Sequence, residues 1–359
     1  MIPTLPSPDP VGVPAPIGLL TALLVALLPL HLIPMNVALG GGFVAAWASW
    51  RARRAAELER HRYRSLLASF TTALLVSTAA TITFGIAPLL FLQVLYGPLY
   101  YTSSVLMAWF WLAVIALLMA GYYSYYAFAF HRRDASQRAV LALSGGLLLL
   151  IVGFLFTNNM TLMLHPERWR EMYVASAHGL HLNTADATLG PRFLHFLTAS
   201  FAVTGLFVAL LAGRRTDDAG VWMRRLGARL FAGATHAQIL IGLLFLYSLE
   251  RPVRDLFLGS SVRDTVVLWT AVALALLATL IVRRRPTVAA ALTVATIFGM
   301  SYVRHCVREA LVAPVFSLDS LKVVPQYGPM AVFAVVLIAG IATLVWMSVR
   351  FVRAGPSKA

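Results

Sequence analysis

Apolar residues run along this chain in long stretches broken by short polar segments, without the period-two alternation that marks half-buried strands. The stretches fall at roughly 18–48, 67–96, 103–129, 139–163, 192–212, 228–249, 265–282, 287–308 and 328–349. Each is about as long as a membrane-crossing helix requires, some 20 mostly apolar residues. The pattern predicts an all-α, polytopic membrane helix bundle of about nine transmembrane helices. It forms one domain over 18–349, with an outer tail at 1–17 and a cytoplasmic tail at 350–359. The Pro-rich first 17 residues lack the basic start of a cleavable signal, so the stretch that follows is read as a retained first span.

Polar segments set the orientation. Arg51, Arg53, Arg54, Arg60, Arg62 and Arg64 follow the first span, and Arg132, Arg133 and Arg138 the third. Arg214, Arg215, Arg224, Arg225 and Arg229 follow the fifth, Arg283, Arg284 and Arg285 the seventh, and Arg350, Arg353 and Lys358 the last. With nine spans all of these share one side, and the positive-inside rule puts the N-terminus outside and the C-terminus in the cytoplasm. The outer side then carries loops at about 164–191, 250–264 and 309–327. Tyr96, Tyr100 and Tyr101 are expected at one interface, and Tyr122, Tyr123, Tyr125 and Tyr126 at the other.

Composition agrees: 60% hydrophobic, 12% charged, mean hydropathy +0.79. The net charge of +15 does not point to nucleic acid, because the basic residues sit between spans. A single cysteine, Cys306, excludes an internal disulfide framework, an iron–sulfur cluster and a c-type haem attachment motif. The expected setting is the inner membrane of a bacterium.

Candidate chemistry lies in the histidines. His31, His195, His236 and His305 fall inside apolar stretches, where an ionisable side chain is a functional-site hypothesis by default. The bland alternative for each is a helix–helix hydrogen bond. His61 and His131 lie in basic inner loops, and His165, His178 and His181 in the outer loop, where they are read as surface residues.

The order of motifs resembles the haem-bearing subunit I of cytochrome bd quinol oxidases. His31-Leu-Ile-Pro34 is similar to that family's ligand-bearing first span, with the proline two positions early. Phe84-Gly-Ile-Ala-Pro-Leu-Leu-Phe91-Leu-Gln93, followed by Tyr96 and Tyr100-Tyr101, is similar to its second span. Asn158-Asn159-Met160 through Pro166 resembles the end of its fourth. Phe193-Leu-His195 with Gly205 resembles the start of its fifth, where the His ligates low-spin haem b. The resemblance implies a nine-span fold, haem and a second membrane subunit.

Departures shape the expected activity. No Asp or Glu occurs between Glu59 and Asp134, where the family has a third-span glutamate at the oxygen-reducing site. On the same alignment His305 stands where a Glu ligates the high-spin haem, Arg308 is kept, and the seventh-span Met ligand has no counterpart. The quinol loop shrinks to about 250–264. A His in place of a carboxylate favours low-spin iron, and oxygen reduction needs protons that these spans do not deliver. The expected ligands are therefore His195, His31 and His305, with His236 as a substitute partner for His195. Arg304 and Arg308 are expected to pair with haem propionates. The expected function is electron transfer between the quinol pool and a cytochrome c-type or other membrane subunit, with one to three haems b. Two alternatives stand beside it: a bd-type terminal oxidase subunit, with haem d, and a haem-free transporter or assembly subunit.

Overall fold

A computed structural model describes residues 12–130, 135–213 and 215–354. Of the expected features, residues 1–11 and 355–359 of the two tails, and His131, Arg132, Arg133 and Arg214, lie outside the described residues. The chain is an all-α bundle, as its apolar pattern predicts. Its helices are α1 (Ile17–Arg54), α2 (Glu57–Leu95), α3 (Gly97–Phe130), α4 (Ala135–Leu162), α5 (Trp169–Ala175) and α6 (Leu189–Leu211), then α7 (Asp218–Ser248), α8 (Arg251–Asp255), α9 (Val262–Ile281), α10 (Pro286–Val312) and α11 (Tyr327–Ala354). Among the described residues eight helices are long and apolar enough to cross a bilayer, making this a multi-pass membrane protein. The ninth expected span falls in α11, whose described apolar part is Tyr327–Gly340 and whose described side chains are almost all exposed.

Helix α1 is the centre of the bundle and packs on α2, α4, α6 and α10. Three consecutive glycines make this possible. A Cβ at Gly40 would strike the Ser200 carbonyl of α6, one at Gly41 would meet Phe70 of α2 at 2.9 Å, and one at Gly42 would strike the Tyr125 hydroxyl. Small residues let membrane helices approach this closely, where burial from water supplies no drive. Tyr125 is completely buried, and its hydroxyl donates to the Ala38 carbonyl at 2.7 Å. Tyr125, Tyr96 and Tyr100 are therefore core residues rather than interface anchors; Tyr101 and Tyr123 keep the expected exposed placement. The physical reason is helical phase: Tyr125 faces α1, whereas Tyr123 lies on another side of the same turn.

At one end the arginine-bearing segments are tied together. Arg62 makes a two-pronged bond to Asp218 at 2.6 and 2.8 Å, Arg53 donates to Ser136 at 3.2 Å, and Arg215 donates to Ser65 at 2.7 Å. These bonds join the α1–α2, α3–α4 and α6–α7 connections, as the charge pattern requires of one membrane face. That face is the inner one by the positive-inside rule.

The opposite end is closed by the segment between α4 and α6. Its centre is Asn183, whose backbone N–H donates to Asn158 at 2.5 Å and whose side-chain amide donates to Thr161 and Asp186. Arg168 donates to the Asn183 side-chain carbonyl at 2.7 Å. Asn159 bridges to Ser103 and Ser104 of α3, both at 3.1 Å. The same loop docks where α3 loses helical geometry at Ala108: Trp109 N–H donates to the Gly179 carbonyl, and His181 N–H to the Leu106 carbonyl. Irregular backbone at membrane depth is tolerated where protein satisfies it in this way.

Candidate functional site

Between α1, α4, α6, α7, α9 and α10 lies a largely apolar cavity of about 320 Å³. That is near the lower end of the range typical of ligand pockets. Helical spacing selects its walls. On α6 the stripe Arg192, His195, Phe196, Ala199 and Val203 faces inward, as does Thr235, Gln238 and Gly242 on α7. From α10 come Met300, Ser301 and Arg304. Among the described residues no lining residue is a carboxylate.

His195 is held at both ring nitrogens by one partner. Its Nδ1 lies 3.1 Å from the Gln238 backbone carbonyl, and its Nε2 lies 3.2 Å from the Gln238 side-chain nitrogen. A carbonyl only accepts, so the neutral ring carries its proton on Nδ1, and its Nε2 lone pair accepts from the Gln238 amide. Gly242 gives the ring its place, since a Cβ there would sit 3.2 Å from His195 Cε1.

Cations gather at the outer part of the site. Arg192, three residues before His195 on the same face, lies over the Phe245 ring at 4.7 Å. Its Nε and Nη2 are buried without a hydrogen-bond partner. Arg304 has no hydrogen bond or ion pair among the described residues. Arg308 is buried on the neighbouring turn of α10, over the Tyr96 ring at 5.1 Å. The three guanidinium groups lie within electrostatic reach of one another. Arg192 is within electrostatic reach of the Asp186 carboxylate, whereas among the described residues Arg304 has only like charges acting on it. Buried charge so placed is expensive, and it marks a place for an anion.

The other expected ligands are not brought to this cavity. His31 turns toward α2, its Nδ1 2.9 Å from the Thr81 carbonyl and its ring against Gly85. His305 is buried beside Glu309, Nε2 to carboxylate 3.2 Å, with Nδ1 unpartnered. His236 is exposed, on the face of α7 that carries Leu240 and Leu244, and does not line the cavity. Two residues on from it, Gln238 faces inward instead. Among the expected propionate partners, Arg304 lines the cavity and Arg308 stands behind it.

Arg192, Gln238 and Met300 were not expected. Arg192 was legible from its spacing to His195, and Gln238 from its place on a stripe with Thr235 and Gly242; nothing local in sequence marks Met300. Among the described residues no group of three or more His, Cys, Asp and Glu could hold a bare metal ion. A haem asks less of the chain, one or two axial ligands, because the macrocycle supplies four nitrogens. The cavity fits that demand in part: a histidine unprotonated at Nε2, apolar walls, and two guanidinium groups in no ion pair among the described residues, with the Gln238 amide having to swing off Nε2.

His165 is also more than a surface residue. Its Nδ1 lies 2.9 Å from Glu167 and its Nε2 3.4 Å from the buried Asp186. The Asp186 carboxylate raises the His165 pKa against the opposing effect of burial. Burial pushes Asp186 up, but hydrogen bonds from His165 and Thr188 outweigh it and leave the carboxyl below its usual range. No family model matches the chain, and no curated protein matches it.

Proposed function

We propose that this chain is a membrane haem b subunit that passes electrons between the quinol pool and a cytochrome c-type partner in a bacterial inner membrane. The observation that carries the reading is the His195 cavity, with its Nδ1-protonated imidazole and two guanidinium groups, Arg192 and Arg304, that are in no ion pair among the described residues. His195 would hold the iron through Nε2, and the Gln238 carbonyl would fix the ring and increase its basicity, as hydrogen bonds to ligating histidines do. Arg192 and Arg304 would take the two propionates, a match of fork to carboxylate. Met35 and Met300 line the same space and are the thioethers available as a second ligand.

A bound haem supplies one-electron exchange. The chain's own part is to exclude water with Phe196, Phe245 and Trp269, to hold the ring of His195, and to balance charge. Among the described residues the lining offers no carboxylate to carry protons inward, which favours electron relay over oxygen reduction in this chain. The outer loop before Arg192 is the surface through which a c-type partner would approach.

The test is stopped-flow mixing of the purified protein in liposomes with a reduced quinol, then with ferric cytochrome c. Quinol-driven appearance of a b-type α-band, followed by its loss to cytochrome c, is expected. A haem-bearing protein whose band neither donor nor acceptor changes would contradict the reading.

A further inference from the structure

At the inner end of the bundle four arginines converge on one pocket. Arg224, Arg225 and Arg229 of α7 and Arg283, just past the end of α9, line a space of about 340 Å³. None of the four has an ion pair or hydrogen bond to a carboxylate among the described residues. The two acids nearest in sequence are already occupied: Asp217 holds Arg215 at 2.7 Å, and Asp218 holds Arg62 at 2.6 Å. Orientation in the membrane asks only for positive charge somewhere in an inner loop. It does not ask that four guanidinium groups face one hollow.

Above the cations the surface changes to hydrocarbon along the same faces. On α7 the exposed stripe continues from Arg225 and Arg229 through Gly233, beside which a Cβ would meet nothing within 4 Å, and His236 to Leu240. On α9 Leu280 and Leu276 stand one and two turns from Arg283 and are exposed. Arg224 to Arg229 covers about 7.5 Å of helix at 1.5 Å per residue. The site is thus a short column of cations next to a mostly apolar strip that His236 alone interrupts among the described residues.

We infer that this pocket holds the headgroup of an anionic phospholipid carrying two phosphates, of the cardiolipin type, with its acyl chains along Gly233, Leu240, Leu276 and Leu280. Basic pockets between helices on the inner side of a membrane suit such headgroups, and paired guanidinium forks match phosphate oxygens. This inference does not depend on the haem reading.

Native mass spectrometry of the full chain in mild detergent tests it, with cardiolipin, phosphatidylglycerol and phosphatidylethanolamine in competition and inorganic pyrophosphate added separately. Preferential retention of cardiolipin that pyrophosphate does not displace is expected. Each basic residue near an anionic surface is worth about fivefold, so Arg225→Gln with Arg283→Gln is expected to weaken retention roughly thirtyfold. Arg284→Gln with Arg285→Gln removes the same charge outside the pocket and should leave retention unchanged. Equal retention of cardiolipin and phosphatidylethanolamine by the unaltered protein would overturn the proposal, as would equal loss in both double variants. Displacement by pyrophosphate would assign the pocket to a soluble diphosphate instead. If the pocket variant does not fold, the lipid competition on the unaltered protein decides alone.

Discussion

His195 and Gln238 clasp each other across α6 and α7: the imidazole Nδ1 donates to the Gln238 carbonyl at 3.1 Å, and the Gln238 amide faces Nε2 at 3.2 Å. One interaction uses backbone and survives substitution; the other uses the side chain and blocks the position an iron would take. Gln238→Ala should therefore keep the His195 tautomer and retain haem, with a shift in the Soret band as the amide is lost. Absorbance spectra of the purified variant, oxidised and reduced, check this; loss of all haem would show the side chain to be essential rather than yielding.

The unpaired guanidinium groups make a second prediction. A cation close to a haem favours the reduced state, which carries one positive charge fewer. Arg192→Gln should lower the midpoint potential, on the order of 50–100 mV for a part-buried charge at an effective dielectric near 20. Arg304→Gln should act in the same direction. Redox titration of the α-band measures both, and an unchanged potential in both variants would remove these residues from the site.

His236 supplies the control. It is exposed on the lipid-facing stripe of α7, so His236→Ala should leave haem content, spectrum and thermal stability as they are. Pyridine haemochrome quantification would expose any loss.

Packing of α1 gives a fourth expectation. Tyr125→Phe removes one buried hydrogen bond to Ala38 and should cost about 1 kcal/mol. Gly40→Ala forces a methyl group against the Ser200 carbonyl and should cost more, roughly 1–3 kcal/mol, because two backbones must separate. Thermal unfolding in detergent ranks the two.

The His165–Asp186 contact predicts a pH dependence on the outer side. The raised His165 pKa means its contribution is complete below the ordinary value near 6.5 and fades as pH rises through the raised one. Asp186, lowered, contributes above its usual range and loses that contribution only in stronger acid. The loop around Asn183 should therefore be most protected from hydrogen exchange between about pH 4 and 6.5, and open as pH rises beyond it. His165→Gln should flatten that rise.

Much of the architecture was legible because lipid imposes a coarse rule: length and apolarity mark the spans, and arginine placement marks the face. What could not be read was helical phase. His236 and Gln238 are two residues apart in one apolar stretch, yet one faces outward and the other the cavity. Tyr123 and Tyr125 divide in the same way. In a soluble helix the polar face would have revealed the phase; here both faces are apolar, and only packing partners decide. The Asn158-Asn159 pair had a further reading hidden in it, since its amides fasten the outer loop through Asn183 and the α3 serines.

Everything proposed for the cavity depends on His195 holding a haem. A dithionite-reduced-minus-oxidised spectrum of the purified protein, with haem counted by pyridine haemochrome for the unaltered chain and for His195→Ala, tests it most directly. A low-spin b spectrum without a haem d band is expected, and its loss in the variant while the folded protein still elutes as one species. Haem retained in full by His195→Ala, or absent from the unaltered chain, would contradict it.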